Sequence, residues 1–254
     1  MCTLTYLLKD NGYELFFNRD EQRSRLLAEL PKMNEENGAI YPIDPVGGGT
    51  WIAVSKQGRS FALLNNYQAP FNHHHNIISR GQLILSLLKI EGDVTKELKI
   101  MDLRTFQPFQ LCIFPESLSI QHQSIYCVKW DGCQLIEVDV DAKANLPITS
   151  SGINFVEVSK KRKCRFEQLV DINEPLSAQL KDFHFSTEEH GKYSVNMQRK
   201  DAKTVSISHI SVNSQSPTGS NTSASCEINF KYFDNVVQEN HTISSTKEKC
   251  PECV

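Results

Sequence analysis

No stretch of the 254-residue chain is long and apolar enough to cross a bilayer, and its start lacks a basic segment followed by an apolar run. The polar turn Asn11-Gly12 interrupts the first apolar stretch. These absences argue against an integral membrane segment and a secretory leader, and predict a cytoplasmic protein with reduced thiols. Charge of one sign is lacking too. A net charge of −3 gives no broad attraction to nucleic acid. The cysteines, at Cys2, Cys112, Cys127, Cys133, Cys164, Cys226, Cys250 and Cys253, show no dense disulfide framework. A set of metal ligands is missing as well. His73-His74-His75 cannot all face one ion from a regular element, where ligand pairs sit two, three or four apart. Cys250-Pro251-Glu252-Cys253 has no second pair to complete four ligands. The histidines read as a solvated loop, and the cysteines as part of a flexible tail over 241–254 without metal. A phosphate loop is also absent. Gly47-Gly48-Gly49 precedes a strand, and no lysine follows in register. Those glycines read either as backbone that lets a substrate or Cys2 come close, or as a bulge at a strand entry.

What is present suits one large domain over 1–240, with 39% hydrophobic and 22% charged residues. The chemistry concentrates at the start. Cys2 follows the initiator methionine and is small enough for Met1 to be removed. It would then carry a thiol and a free α-amine on one carbon. An amine titrating near ~8 beside a thiol near ~8.5 makes a nucleophile with its own general base. Thr3 to Leu8 and Tyr13 to Phe17 read as a hairpin that folds Asn18-Arg19-Asp20-Glu21 back beside Cys2. Arg19 is then placed to favour the thiolate and Asp20 to hold the new ammonium. The plainer reading is a small buried cysteine and a solvated Arg-Asp turn.

Along the rest of the chain, Gln22 to Leu30 reads as a short helix or ordered loop. Strands are predicted at Ile40 to Ile43, Thr50 to Val54, Ser60 to Leu64 and Gln110 to Phe114. Ser79 to Ile90 and Asp93 to Leu103 read as helices. Ser124 to Trp130 and Cys133 to Val138, joined at Asp131-Gly132, form the clearest hairpin. The basic run Lys160 to Arg165 reads as a solvated helix face. Asn173 is predicted to cap a helix with Pro175 in its first turn. Thr204 to Ile210 and Cys226 to Phe233 read as strands, with a polar loop over Ser211 to Ser225.

Met1-Cys2, Asn18-Arg19-Asp20-Glu21, Gly48-Gly49-Thr50-Trp51 and Asn66-Tyr67 resemble, in order and spacing, the NRDE family, also called the Transport and Golgi organisation protein 2 family. The resemblance is specific over the first ninety residues or so. It implies an α+β fold of the N-terminal nucleophile hydrolase type, a four-layer αββα sandwich of two mainly antiparallel sheets. It also implies a catalytic set of Cys2, Arg19, Asp20, Asn66 and Arg199, with the backbone N–H of Asn66 as oxyanion donor. Asn18, Gly49, Trp51 and Tyr67 become candidate substrate contacts. Ser150-Ser151 stand where related acylases place a second asparagine. Two functions follow as expectations: an N-terminal cysteine amidohydrolase acting on a non-peptide C–N bond of a small molecule, or a haem- or lipid-binding trafficking protein using the same pocket. No metal or cofactor is expected, haem entering only as a ligand.

Overall fold

The computed structural model describes residues 1–140, 145–215 and 225–248. Two sheets dominate it, and every strand pair within them is antiparallel. The first contains β1 (Cys2–Lys9), β2 (Gly12–Gln22), β10 (Ile148–Ser150), β11 (Ala202–Gln215), β12 (Ser225–Asp234) and β13 (Glu239–Glu248), in the order β10-β1-β2-β11-β12-β13. The second runs in chain order through β3 (Glu29–Met33), β4 (Ile40–Ile43), β5 (Ile52–Val54), β6 (Ser60–Asn65), β7 (Phe109–Phe114), β8 (Tyr126–Trp130) and β9 (Leu135–Glu137).

Alternation along the strands builds the layers. Leu4, Tyr13, Leu15 and Phe17 of the first sheet meet Ile52, Val54, Leu64, Cys112 and Phe114 of the second in one buried cluster. The odd-numbered residues between them, Ala53, Phe61, Leu63 and Leu111, face the other way. They pack under α1 (Gly81–Leu87) and α2 (Val94–Ile100) through Leu83, Ile84, Leu87 and Leu98. On the far side of the first sheet lie α3 (Phe155–Leu169) and α4 (Ser177–Phe185), which bury Phe166, Leu180 and Phe183. The result is the expected αββα order.

Several local expectations are corrected. Of the two readings for Gln22 to Leu30, the helix fails and the loop holds over residues 23–28, with β2 continuing to Gln22 and β3 beginning at Glu29. Asn173 is not the cap of α4. That helix starts at Ser177, after Leu176, whose N–H donates to Oε1 of Gln179 at 2.9 Å. The polar stretch from Ser211 extends β11 to Gln215, because it pairs with Glu14 to Gly12 on one side and with β12 on the other. The expected boundary at 240 falls inside β13, which pairs with β12 as far as Glu248. Cys250 and Cys253 lie outside the described residues.

Candidate active site

The β1–β2 register sets the site. Cys2 lies opposite Arg19, so both side chains share the face turned toward the second sheet. Thr3 lies opposite Asn18, so those two face the helices. Cys2 opens onto a cleft of about 430 Å³ whose walls include Arg19, Glu21, Arg25, Asp44, Gly49, Trp51, Asn65, Tyr67 and Arg80. The Arg19 guanidinium stacks 4.2 Å from the centre of the Trp51 ring and reaches Glu21 at 3.4 Å and Asp44 at 3.7 Å. Arg25 donates to Asp44 from Nε at 3.2 Å and from Nη2 at 2.5 Å. Burial alone would raise the Asp44 carboxyl, but the Arg25 hydrogen bond and the charges of Arg19 and Arg25 hold it below its ordinary value.

Gly49 explains how the cleft floor is made. A Cβ there would overlap the Gly81 carbonyl carbon and sit 2.6 Å from the Gln82 nitrogen, so only glycine lets this backbone pass the start of α1. The Thr50 N–H donates to the Gly81 carbonyl at 3.2 Å and fixes that crossing.

With Met1 in place, the residue is held beside Cys2 by Asp20 and Ser151. Its ammonium donates to the Asp20 carbonyl at 3.4 Å, and the Asp20 N–H donates to the Met1 carbonyl at 2.9 Å. Ser151 Oγ lies 2.8 Å from the Met1 sulfur. In this form the Cys2 thiol is pushed up by burial and by the Asp20 carboxylate. The Met1 ammonium, the Asp20 N–H and Arg19 oppose the rise without cancelling it. The thiolate expected from Arg19 alone is therefore not the state that this environment favours.

The description Transport and Golgi organisation 2 matches residues 1–217. The chain belongs to that family. No curated protein matches it. Among solved structures it is similar to the Caenorhabditis elegans ortholog of N-acylethanolamine-hydrolyzing acid amidase. The TM-score is 0.55 at 10% identity, over 82% of this chain and 92% of that one. It is also similar to a variant of conjugated bile acid hydrolase from Clostridium perfringens, with a TM-score of 0.48 at 11% identity, over 98% of this chain and 96% of that one. The fold is of the N-terminal nucleophile hydrolase type.

In this member of the Transport and Golgi organisation 2 family, the tetrad Asn18 to Glu21 is divided by the strand's pleat. Arg19 and Glu21 turn into the cleft. Asn18 does not contact the cleft as expected. It is fully buried on the helix side, where its amide donates to the carbonyls of His184 and Val195 at 2.8 and 2.9 Å. Its Oδ1 must then accept from His184 Nδ1, 2.6 Å away, which leaves Nε2 to accept from the Thr5 hydroxyl at 2.7 Å. Burial holds His184 well below its ordinary pKa, so the ring is neutral. The Asp20 backbone borders the cleft, but its carboxylate lies behind the sheet. It accepts from Arg162 Nη2 at 3.2 Å and from Thr204 Oγ1 at 2.6 Å. Arg162, fully buried, also donates to the Thr3 hydroxyl.

Two further expectations are corrected. Asn66 does not line the cleft. Its N–H donates to the Pro108 carbonyl at 3.1 Å and its side chain to the Trp130 carbonyl at 3.3 Å, so the expected oxyanion donor is already engaged. Its neighbour Asn65 reaches the cleft, donating to the Tyr67 hydroxyl at 2.7 Å. Arg199 is held outside the cleft by a two-pronged pair with Asp201, one arm of it at 2.9 Å. Gly49, Trp51 and Tyr67 border the cleft. The sequence reading missed Arg25, Asp44, Arg80 and Arg162. Arg162 had a usable signal: Val158, Arg162 and Phe166 are spaced i, i+4, i+8 on the buried face of α3.

Proposed function

We propose that the chain is an N-terminal cysteine amidohydrolase acting on a non-peptide C–N bond of a small molecule. The observation that carries this reading is Cys2, the second residue of the chain, standing in strand register with Arg19 where both line an open cleft. Removal of Met1 does two things at once. It turns an amide nitrogen into an amine that can take the thiol's proton. It also deprives the Asp20 N–H of the carbonyl it now serves. That N–H already favours a negative Cys2 sulfur, so its release lowers the cost of the thiolate. The thiolate attacks the amide carbonyl, the amine delivers the proton to the leaving nitrogen, and water then releases the acyl group.

The competing reading is a binding protein that takes haem or a lipid in the same cleft without turnover. It is favoured by the engaged N–H of Asn66 and by serine, at Ser150 and Ser151, where related acylases carry asparagine. Intact mass paired with limiting iodoacetamide separates the two. Hydrolase function expects loss of Met1 and preferential labelling of Cys2 near neutral pH. Protein that retains Met1 should label slowly at Cys2, with a rate that keeps rising above pH ~9, the side on which a raised thiol pKa places the thiolate. Mature protein that still carries Met1 would sink the hydrolase reading.

A further inference from the structure

The three arginines of the cleft are not equivalent. Arg19 is stacked on Trp51 and paired with Glu21 and Asp44. Arg25 is paired with Asp44 and lies 3.6 Å from Glu21. The Arg80 guanidinium donates from Nη1 to the Pro108 carbonyl at 3.1 Å and has no carboxylate within 4.0 Å among the described residues. It nevertheless lines the same cleft as Cys2 and Tyr67. Desolvation pulls its pKa down, while Tyr67, Cys2 and Glu21 act on it through charge in the opposite sense. A half-buried guanidinium without a counterion is unfavourable, and its planar donors suit a carboxylate. The lining of the same cleft also includes apolar Val46, Ile77 and Ile78, with Val46 57% and Ile78 46% exposed.

We infer that Arg80 is the anchor for an anionic group on the ligand, so that the cleft takes amides that are amphiphilic acids: a carboxylate at Arg80 and an apolar chain along Val46 and Ile78. The turnover part of this inference rests on the hydrolase reading, and the binding part does not. An amide can carry its acid on the amine side or on the acyl side, and three probes of matched chain length distinguish the sources. N-dodecanoylglycine has the acid on the leaving amine. N-dodecylsuccinamic acid has it on the acyl group. N-dodecanoylethanolamine has none.

Binding is measured by calorimetry on full-length Cys2→Ala protein, which cannot turn over. At least one acid should bind about 30-fold more tightly than the ethanolamide, the scale of a charge-assisted hydrogen-bonded pair. Arg80→Gln in that background should abolish the preference, and Arg80→Lys should keep part of it. Equal affinity for the three amides, including no measurable affinity for any, overturns the inference. So does a preference that survives Arg80→Gln in protein whose melting temperature is unchanged. With Cys2 intact, the preferred acid should also be hydrolysed fastest. A binding preference without any hydrolysis would reject the amidohydrolase and leave Arg80 as the anion anchor of a binding protein.

Discussion

The two faces of the β1–β2 hairpin use similar residues for opposite purposes. On the cleft face, Cys2, Arg19 and Glu21 border open space. On the helix face, Thr3, Thr5, Asn18 and Asp20 are each fixed by a named partner: Arg162, His184, Val195 or Thr204. Four consecutive residues, Asn18 to Glu21, are therefore two motifs interleaved at a period of two. One is available for chemistry. The other pins the hairpin to α3, α4 and β11, so that Cys2 has a fixed position from which to act.

The sharpest way to break this comparison is at the Asp20–Arg162 pair, which has no exposed side-chain surface on either partner. Asp20→Asn or Arg162→Met should each destabilise the protein by about 3–5 kcal/mol, because either change leaves a buried charge uncompensated. Chemical denaturation checks this. The double change Asp20→Leu with Arg162→Met should recover a large part of the loss, since both charges are then gone. If the single changes leave stability intact but abolish amide hydrolysis, Asp20 belongs to the chemistry and the division of faces fails.

This division also marks how far the sequence could be read. The hairpin and the helix pair after residue 79 were legible because they rest on local periodicity and turn residues, whereas the αββα layering was expected from the family resemblance. Cys2 and Arg19 were legible as neighbours from the hairpin, while Gly49, Trp51 and Tyr67 were expected from the family resemblance; all five line one cleft. Asn18 was misplaced, and Asp20 lines the cleft while its carboxylate is held by Arg162 and Thr204, because a strand turns neighbouring side chains to opposite faces. Asn66 stands one residue beyond the end of β6, whose last residue, Asn65, reaches the cleft, and backbone outside a strand has no periodicity to read. Arg80 and Asp44 could not have been found by pattern. They enter the site through the crossing of Gly49 over Gly81, a contact between segments with no shared periodicity.

A second test lies at the other end of the same helix-side face. Glu14 is buried among Lys9, His209 at 2.8 Å and Ser177 at 2.5 Å. Burial would raise its carboxyl, but these hydrogen bonds outweigh it and bring the pKa from the ordinary 4.5 down to about 2. A carboxyl depressed on folding stabilises fully above its unfolded pKa and loses that contribution as pH falls through the folded one. Glu14→Gln should thus cost about 2–3 kcal/mol at neutral pH. Melting temperatures of variant and parent should converge between pH ~4.5 and ~2. A gap that is independent of pH would show that Glu14 acts through packing and not through its charge.

The smallest effect is expected where the comparison predicts neither chemistry nor framework. Arg199 stands three residues before β11 with 16% of its side-chain surface exposed, paired to Asp201, which is 64% exposed. Its carbonyl accepts from Arg23 Nε at 2.9 Å, but that is a backbone group and survives substitution. An ion pair with one partner in solvent contributes little, because water screens it and ordering two side chains opposes it. Arg199→Ala should therefore change stability by no more than about 0.5 kcal/mol. It should leave kcat/KM for any accepted amide unchanged, since the guanidinium does not border the cleft. A fall in kcat with stability preserved would mean that Arg199 turns toward Cys2 once ligand is bound. That outcome would return it to the catalytic set and make the Asp201 pair a resting position.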